Sequence, residues 1–123
     1  MRLEQDQCNA KYQINAYQPG IVTINHAAHT SSLIITQKSL ITQWTDQCID
    51  TLSDNCIETL LATQADIFIL GTGEHFKWPA TPIRQKLASM SIAIEYMDTA
   101  AACRTFMALL MEGRDVAAGL LIT

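Results

Sequence analysis

The segment that most constrains the fold runs from Met97 to Ile122, where signals for a capped helix, a tight turn and a buried strand follow one another. Asp98 and Thr99 are both residue types that cap helix N-termini. The side chains that recur at helical spacing are predicted to face a sheet, and they are Cys103, Phe106, Met107 and Leu110. Gly113 lies just past this helix, where a glycine can end it, and Val116 to Ile122 is predicted as the last strand.

Another strand, helix and strand are predicted just before this segment. Asp66 to Leu70 (DIFIL) is continuously apolar after its first residue, which is typical of a strand covered on both faces in a parallel sheet. Thr81 is predicted to cap the next helix, with Pro82 at the first helical position. The buried stripe of that helix is predicted to be Ile83, Leu87 and Met90. Residues 92–96 alternate between apolar and other side chains, which predicts a further strand.

The first third of the chain is predicted to be β-rich. An alternating run of inward-facing side chains opens it, namely Tyr12, Ile14 and Ala16. Pro19-Gly20 is a turn signal, and apolar runs follow at residues 21–24 and 33–35, separated by the polar residues 25–32. This spacing predicts two or three antiparallel strands.

A helix is predicted between the β-rich part and the C-terminal units. Ser53 can cap it, with Leu52 and Ile57 at the positions of a hydrophobic staple, and the helix should run to about Thr63. The order strand, helix, strand, helix, strand from Asp66 onward predicts connections packed around one sheet. Because 123 residues suit one domain, we expect residues 1–123 to form a single α/β domain.

The chain resembles a known family along nearly its whole length. The matching features are ILGTG at Ile69 to Gly73, the run M-D-T-x-x-A-C-R-T-x-x-x-L from Met97, the closing G-R-x-V-A-A from Gly113, and the pattern between Ile14 and Ile24. They resemble a family of small, largely uncharacterised bacterial and archaeal domains that includes the mitochondrial assembly factor for respiratory complex I (NADH:ubiquinone oxidoreductase alpha-subcomplex). The resemblance implies a three-layer α/β/α domain with a central mixed sheet and a β-rich N-terminal part. For the mitochondrial relatives it implies a role in assembling a membrane-bound complex.

Composition narrows the possible partners. Only 16% of residues are charged, so much of the surface must be neutral, which favours a protein partner or a homo-oligomer. The net charge of −4 and the lack of a Lys/Arg block argue against nucleic-acid binding. No apolar run approaches the ~20 residues that span a bilayer. The N-terminal sequence MRLEQDQCNAKYQ lacks the apolar core of a signal peptide, so we expect a cytoplasmic protein.

The cysteines and histidines do not form a recognisable motif. No pair among Cys8, Cys48, Cys56 and Cys103 has C-x-x-C spacing, so free thiols in a reducing compartment are expected. Cys103 near a helix start could be a low-pKa thiolate, but no histidine is tied to it, and a buried thiol is the favoured interpretation. His26 and His29 are expected in a surface turn, and no metal site or cofactor is predicted.

Candidate site residues gather where strands end and helices begin. Gly71, Thr72 and Gly73 follow a buried strand, as a phosphate loop would, but the third glycine of a dinucleotide fingerprint is missing and a tight turn is favoured. Asp98 and Thr99 start a helix at the sheet edge where ligands of open sheets bind.

Two more residues join this set of candidates. Arg104, one turn into the same helix, can clamp an anion or the carboxylate of a partner. Alternatively, it forms an internal ion pair or lies in solvent with its stem packed on the surface. Trp78, in the loop after the glycines, can anchor a partner protein or fold back on the core.

The sequence therefore favours a non-catalytic interaction or assembly module that uses the Gly71–Trp78 loop and the start of the Asp98–Thr105 helix. The alternative is a binding protein or enzyme for a small anionic ligand in the strand-end crevice near Gly71, Asp98 and Arg104. A redox sensor at Cys103 is a third hypothesis.

Overall fold

A computed structural model describes residues 10–122, which form two sheets and three helices. The elements are β1 (Ile14–Gln18), β2 (Ile21–Ile24), β3 (Ala27–His29), β4 (Leu33–Thr36), β5 (Leu40–Ile41), α1 (Asp54–Leu61), β6 (Ile67–Gly71), α2 (Thr81–Ser89), β7 (Ile94–Met97), α3 (Thr99–Met111) and β8 (Val116–Leu120). Cys8 and most of the N-terminal sequence used to predict location lie outside the described residues.

The central sheet has the strand order β5-β4-β8-β6-β7. Strands β8, β6 and β7 are parallel, whereas β4 is antiparallel to both β8 and β5, so the sheet is mixed. The connection from β6 through α2 leads outward to the neighbouring edge strand β7. The connection from β7 through α3 leads back in the opposite direction, past β6, to β8. Because such crossovers are right-handed, the reversal puts α2 and α3 on opposite faces of the sheet. The predicted three-layer α/β/α architecture is confirmed.

Each face of the central sheet has its own hydrophobic core. On one face, Phe106 of α3 packs with Ile69 and with side chains of the N-terminal sheet β1-β2-β3. On the other face, Leu60 of α1 and Leu87 of α2 pack with Leu70. All five residues of β8 are buried, as the continuous apolar runs predict for strands covered on both sides.

A β-bulge in β1 corrects the predicted alternation of the N-terminal strand. Ile14 pairs with Ile24 and Tyr17 pairs with Val22, with one extra β1 residue between Ile14 and Ala16. Because directly paired residues share a face of the sheet, the bulge turns Ile14 and Tyr17 to the same side. Tyr17 packs against the core and Ala16 is exposed, so the prediction of an inward Ala16 was wrong.

The N-terminal strands also pair differently from the prediction. The polar stretch 25–32 contains β3, which pairs with β2. Residues 33–35 do not join this hairpin but form β4 of the central sheet, where all three are buried. A continuous buried run suits a strand with neighbours on both faces, which is the position that β4 occupies.

Local signals at the helix ends were mostly correct. The Ser53 side chain accepts a hydrogen bond from Cys56 N at 3.4 Å and caps α1. Gly113, with φ 79°, ends α3, and its N–H donates to Leu110 O at 3.0 Å. Helix α2 is the exception. Its N-cap is Ala80 and not the predicted Thr81, and Met90, which was predicted to be buried, is 51% exposed. Met90 lies beyond the last residue of α2 and therefore off its buried stripe.

Candidate functional site

The two candidate segments meet at the adjoining ends of β6 and β7. Thr72 N donates to Met97 O at 2.8 Å, which extends the parallel pairing by one residue. Gly73 N then donates to Thr99 Oγ1 at 2.9 Å, and Thr99 N donates to Gly73 O at 2.8 Å. The structure therefore brings Gly71, Thr72, Gly73, Asp98 and Thr99 together, as the sequence predicts.

Protein atoms fill this junction. Thr99 is fully buried, and its hydroxyl also donates to Leu121 O at 2.7 Å. A Cβ on Gly71 would lie 3.0 Å from both Ala102 Cβ and Thr99 Cα, so no ligand fits between strand and helix. Gly71 is needed for this close approach, whereas Gly73 has the positive φ of 121° that a tight turn uses.

Asp98 also has a structural partner. Its carboxylate accepts a hydrogen bond from Ala101 N at 2.8 Å and so caps α3. A capping carboxylate at a helix N-terminus repels the phosphate that this terminus would otherwise attract. The strand-end junction thus has the connectivity of a ligand crevice in an open sheet, but it is closed by hydrogen bonds.

Trp78 lies outside the junction, next to the edge strand β7 and α2. Its ring makes edge-to-face contacts with Phe76 at 5.0 Å and with Tyr96 at 5.8 Å between centroids. The Arg84 guanidinium carbon is 5.2 Å from the Trp78 ring centroid, and Arg84 Nε donates to Pro79 O at 3.3 Å. Trp78 is nevertheless 57% exposed, so its ring lies on the surface beside Tyr96. We call Phe76, Trp78, Arg84 and Tyr96 the aromatic patch.

Arg104 lies on the opposite face of the sheet. It borders a cleft of about 360 Å³ between β1 and α3, which we call the β1–α3 cleft. Tyr17 and Cys103 line the same cleft. Arg104 and the Gly71 junction therefore do not share one concavity.

The loop after Gly73 borders a smaller depression of about 180 Å³. Thr72 Oγ1 accepts a hydrogen bond from Lys77 N at 3.1 Å and donates to His75 O at 3.4 Å, which folds the loop back on itself. Lys77 Nζ is 3.3 Å from Asp50 Oδ2. A larger concavity, of about 630 Å³, lies at the other end of the sheet, and none of the predicted site residues lines it.

Cys103 has the environment of a structural thiol. It is 4% exposed, and burial raises the pKa of its thiol to about 12 although Arg104 lowers it. The thiol is therefore protonated at neutral pH, which opposes a role as nucleophile or redox sensor. His26 has a positive φ of 68° in the β2–β3 turn and His29 lies in β3. Within residues 10–122 no group of three His, Cys, Asp or Glu side chains could hold a metal ion.

Sequence reasoning missed Phe76, Tyr96 and Arg84 of the aromatic patch and Tyr17 of the cleft. Phe76 and Trp78 are two residues apart, a spacing that could have indicated one aromatic surface. Tyr17 had no such signal, because strict alternation would turn it outward and only the bulge turns it in.

Comparison with known proteins places the chain among uncharacterised relatives. A family model described as a protein of unknown function (DUF498/DUF598) matches residues 14–121. An uncharacterized protein of Rhodobacter capsulatus is 32% identical over 108 residues, covering 88% of this chain and 82% of that protein. A "13 kDa major membrane protein" of Francisella tularensis is 25% identical over 118 residues, covering 94% of this chain and 95% of that protein.

The fold also recurs in a solved structure. A solution structure of a Bordetella pertussis protein, described as a Mth938-like domain, superposes with a TM-score of 0.78 at 22% identity, covering 99% of this chain and 92% of that one. At this identity the likeness shows the fold alone. In the part of the chain that the structure describes, none of the helices combines the length and apolar character needed to cross a bilayer.

Proposed function

We propose, for a chain that belongs to the DUF498/DUF598 family of proteins of unknown function, a role as a non-catalytic module that binds another protein and helps to assemble a complex. The observation that carries this proposal is the aromatic patch. Trp78 is 57% exposed and Phe76 is 42% exposed, and they are adjacent on the surface. Aromatic side chains are enriched among the residues that dominate binding energy at protein interfaces.

The aromatic patch is held in place before any partner arrives. Arg84 lies over the Trp78 ring and is itself tied to Pro79 O, while Phe76 and Tyr96 contact other edges of the ring. A side chain that is already ordered loses less conformational entropy on binding. The patch therefore suits an interface better than a freely rotating surface tryptophan would.

The patch adjoins an open sheet edge. Met97 O accepts from Thr72 N, so the backbone groups of Met97 face β6, and alternation turns those of Ile94 and Tyr96 outward. No residue within 10–122 pairs with this outer side of β7. We infer that a partner places apolar side chains on the aromatic patch and an extended segment along β7.

The assembly role rests on the family resemblance, and a cytoplasmic location is part of the same proposal. The free thiols of Cys48, Cys56 and Cys103 suit a reducing compartment. Because the Francisella relative is named a membrane protein, cell fractionation with the tagged chain is the direct check. Recovery only in the membrane fraction would contradict a free cytoplasmic module.

Substitution of Trp78 tests the interaction role. We expect Trp78→Ala to abolish cross-linked capture of the partner from lysate of the source cells, because the central ring of the patch is lost. Met111→Ala removes another exposed side chain, 46% exposed at the far end of α3, and should capture the partner as the wild type does. Both variants should keep the wild-type melting temperature, since neither side chain is buried.

Two results would contradict the proposal. One is that the wild-type chain captures no protein above a bead control, and the other is that Trp78→Ala captures as much as the wild type. Analytical ultracentrifugation of the same variants separates a foreign partner from a second copy of this chain, because a homo-oligomer would dissociate with Trp78→Ala in the purified protein.

The alternative hypothesis placed a small anionic ligand in one crevice near Gly71, Asp98 and Arg104, but these residues do not border a common cavity. The junction at Gly71 and Asp98 is filled, and Arg104 faces a different concavity.

A further inference from the structure

The β1–α3 cleft is a second surface that can accept a ligand, and it lies away from the aromatic patch. Its volume of about 360 Å³ is at the small end of the range for ligand pockets. Ile14, Cys103 and Met107 form its apolar part, and Tyr17 and Arg104 provide polar groups. The methionine is a flexible side chain that can adapt to a ligand.

The bulge in β1 shapes this cleft. It turns Tyr17 towards α3. On the outer side of β1, the Ile14 N–H donates to Met107 Sδ at 3.2 Å. A thioether is a weak acceptor, and this contact ties the outer edge of β1 to α3. Bulges are over-represented beside functional sites, where they redirect a side chain.

Among residues 10–122, two hydrogen-bond donors at the cleft have no protein partner. The Arg104 guanidinium is exposed and forms no salt bridge with any carboxylate of residues 10–122. Over the same range, no hydrogen bond involves the Tyr17 hydroxyl. Burial raises the pKa of Tyr17, and Cys103, Glu74 and Asp98 raise it further, so the hydroxyl stays protonated and can donate at neutral pH.

We propose that the β1–α3 cleft binds a small monocarboxylate with an apolar body, its carboxylate on Arg104 and its body against Ile14 and Met107. The planar guanidinium matches a carboxylate with two parallel hydrogen bonds. A dianion such as a phosphate monoester fits less well, because Arg104 is the one charged side chain among the described residues that line the cleft and balances only a single negative charge. This site does not depend on the protein-interaction role, since it shares no residue with the aromatic patch.

Titration of the full chain with octanoate tests the site. We expect saturable binding by calorimetry, with amide chemical-shift changes concentrated in β1 and the first half of α3. Arg104→Met keeps an unbranched, flexible side chain but removes the guanidinium and its charge, and it should weaken binding about tenfold or more. Arg114→Met is the matched control, because Arg114 is an exposed arginine just beyond the other end of α3, and its Kd should stay within about twofold of the wild type.

Three outcomes would overturn the proposal. The first is the absence of saturable octanoate binding, and the second is an unchanged Kd in Arg104→Met. The third is that 1-octanol or octyl phosphate binds as tightly as octanoate, since the site would then not select a single carboxylate. Tyr17→Phe, which keeps the ring, should weaken octanoate less than Arg104→Met does, because a neutral hydrogen bond contributes less than a charged one.

Discussion

The Thr99 side chain links three parts of the chain through one oxygen. Its hydroxyl accepts from Gly73 N and donates to Leu121 O, with Thr99 itself fully buried at the start of α3. The loop after β6, the first residue of α3 and the residue after β8 are thereby fixed to one another. In this position the hydroxyl of Thr99 holds three segments of the fold together.

Thr99→Val is predicted to be strongly destabilising for a nearly isosteric change. It leaves the Gly73 N–H and the Leu121 carbonyl buried without their partner, at a cost of about 1–3 kcal/mol for each group. We expect the free energy of unfolding, measured by urea denaturation, to fall by about 2–6 kcal/mol on that basis. Thr105→Val, on the same helix, should change it by about 0.5 kcal/mol or less. Equal effects of the two substitutions would show that the Thr99 hydroxyl is not the cause.

At the scale of single residues, the sequence predicts local roles and misses distant ones. Ser53, Asp98 and Gly113 act on groups within about one turn of their own helix, so their types and positions were sufficient. The bonds of Thr99 reach 26 residues back and 22 residues forward. No periodicity or cap preference encodes contacts over such distances, because they depend on the order of strands.

At the scale of elements, β8 has a contact that only one residue type permits. Gly119 lies under the Trp44 ring, and a Cβ there would be 2.8 Å from Trp44 Cη2 and 2.9 Å from Cζ3. The ring cannot easily move, because Trp44 Nε1 donates to Cys56 O at 3.0 Å. The loop before α1 is thus packed directly on the backbone of a central strand.

Gly119→Ala should lower the free energy of unfolding by about 1–3 kcal/mol, which is the usual cost of overpacking a core. Trp44→Phe removes the ring atoms that clash, so the double variant should be more stable than the sum of the two single effects predicts. Thermal and urea unfolding of all four proteins measure this coupling. Simple additivity would mean that the Trp44 ring moves aside in Gly119→Ala.

The elements themselves were predictable where their apolar pattern was long. Strand β6 has a continuous apolar run and helix α3 has a clear helical period, and both were placed correctly. Strand β3 has three residues, none of them buried, so it lacked a hydrophobic signal and was read as a break. The bulge in β1 follows from pairing with β2 and from packing on α3, neither of which the β1 sequence contains.

At the scale of the whole molecule, Cys103 lies in the core between the central sheet and the N-terminal sheet. Burial raises the pKa of its thiol to about 12, while a hydrogen bond from Thr51 chiefly lowers the pKa of the half-buried Cys48. We expect iodoacetamide at pH 8 to label Cys48 rapidly in the native protein and Cys103 only on unfolding in urea.

Peptide mass spectrometry of a Cys8→Ser variant follows this labelling. The substitution removes the one cysteine outside the described residues from the comparison. Labelling of Cys103 at the rate of Cys48 in native buffer would reopen the redox hypothesis.

The global layout was predictable in outline, since alternating strands and helices imply layers around one sheet. The strand order was not, and it decided what the strand-end region could bind. Because β6 and β7 lie side by side and Thr99 bonds across their ends, the predicted crevice is filled, and Arg104 points to a separate concavity.

The position of β8 has a consequence for synthesis on the ribosome. In the order β5-β4-β8-β6-β7, β8 lies between two pairs of strands that have no hydrogen-bonded contact with each other. When the nascent chain has emerged only as far as the end of α3, the pairs β4–β5 and β6–β7 both lack β8, the strand that joins them. Vectorial folding therefore cannot close this sheet stepwise, and the final assembly must await translation of β8.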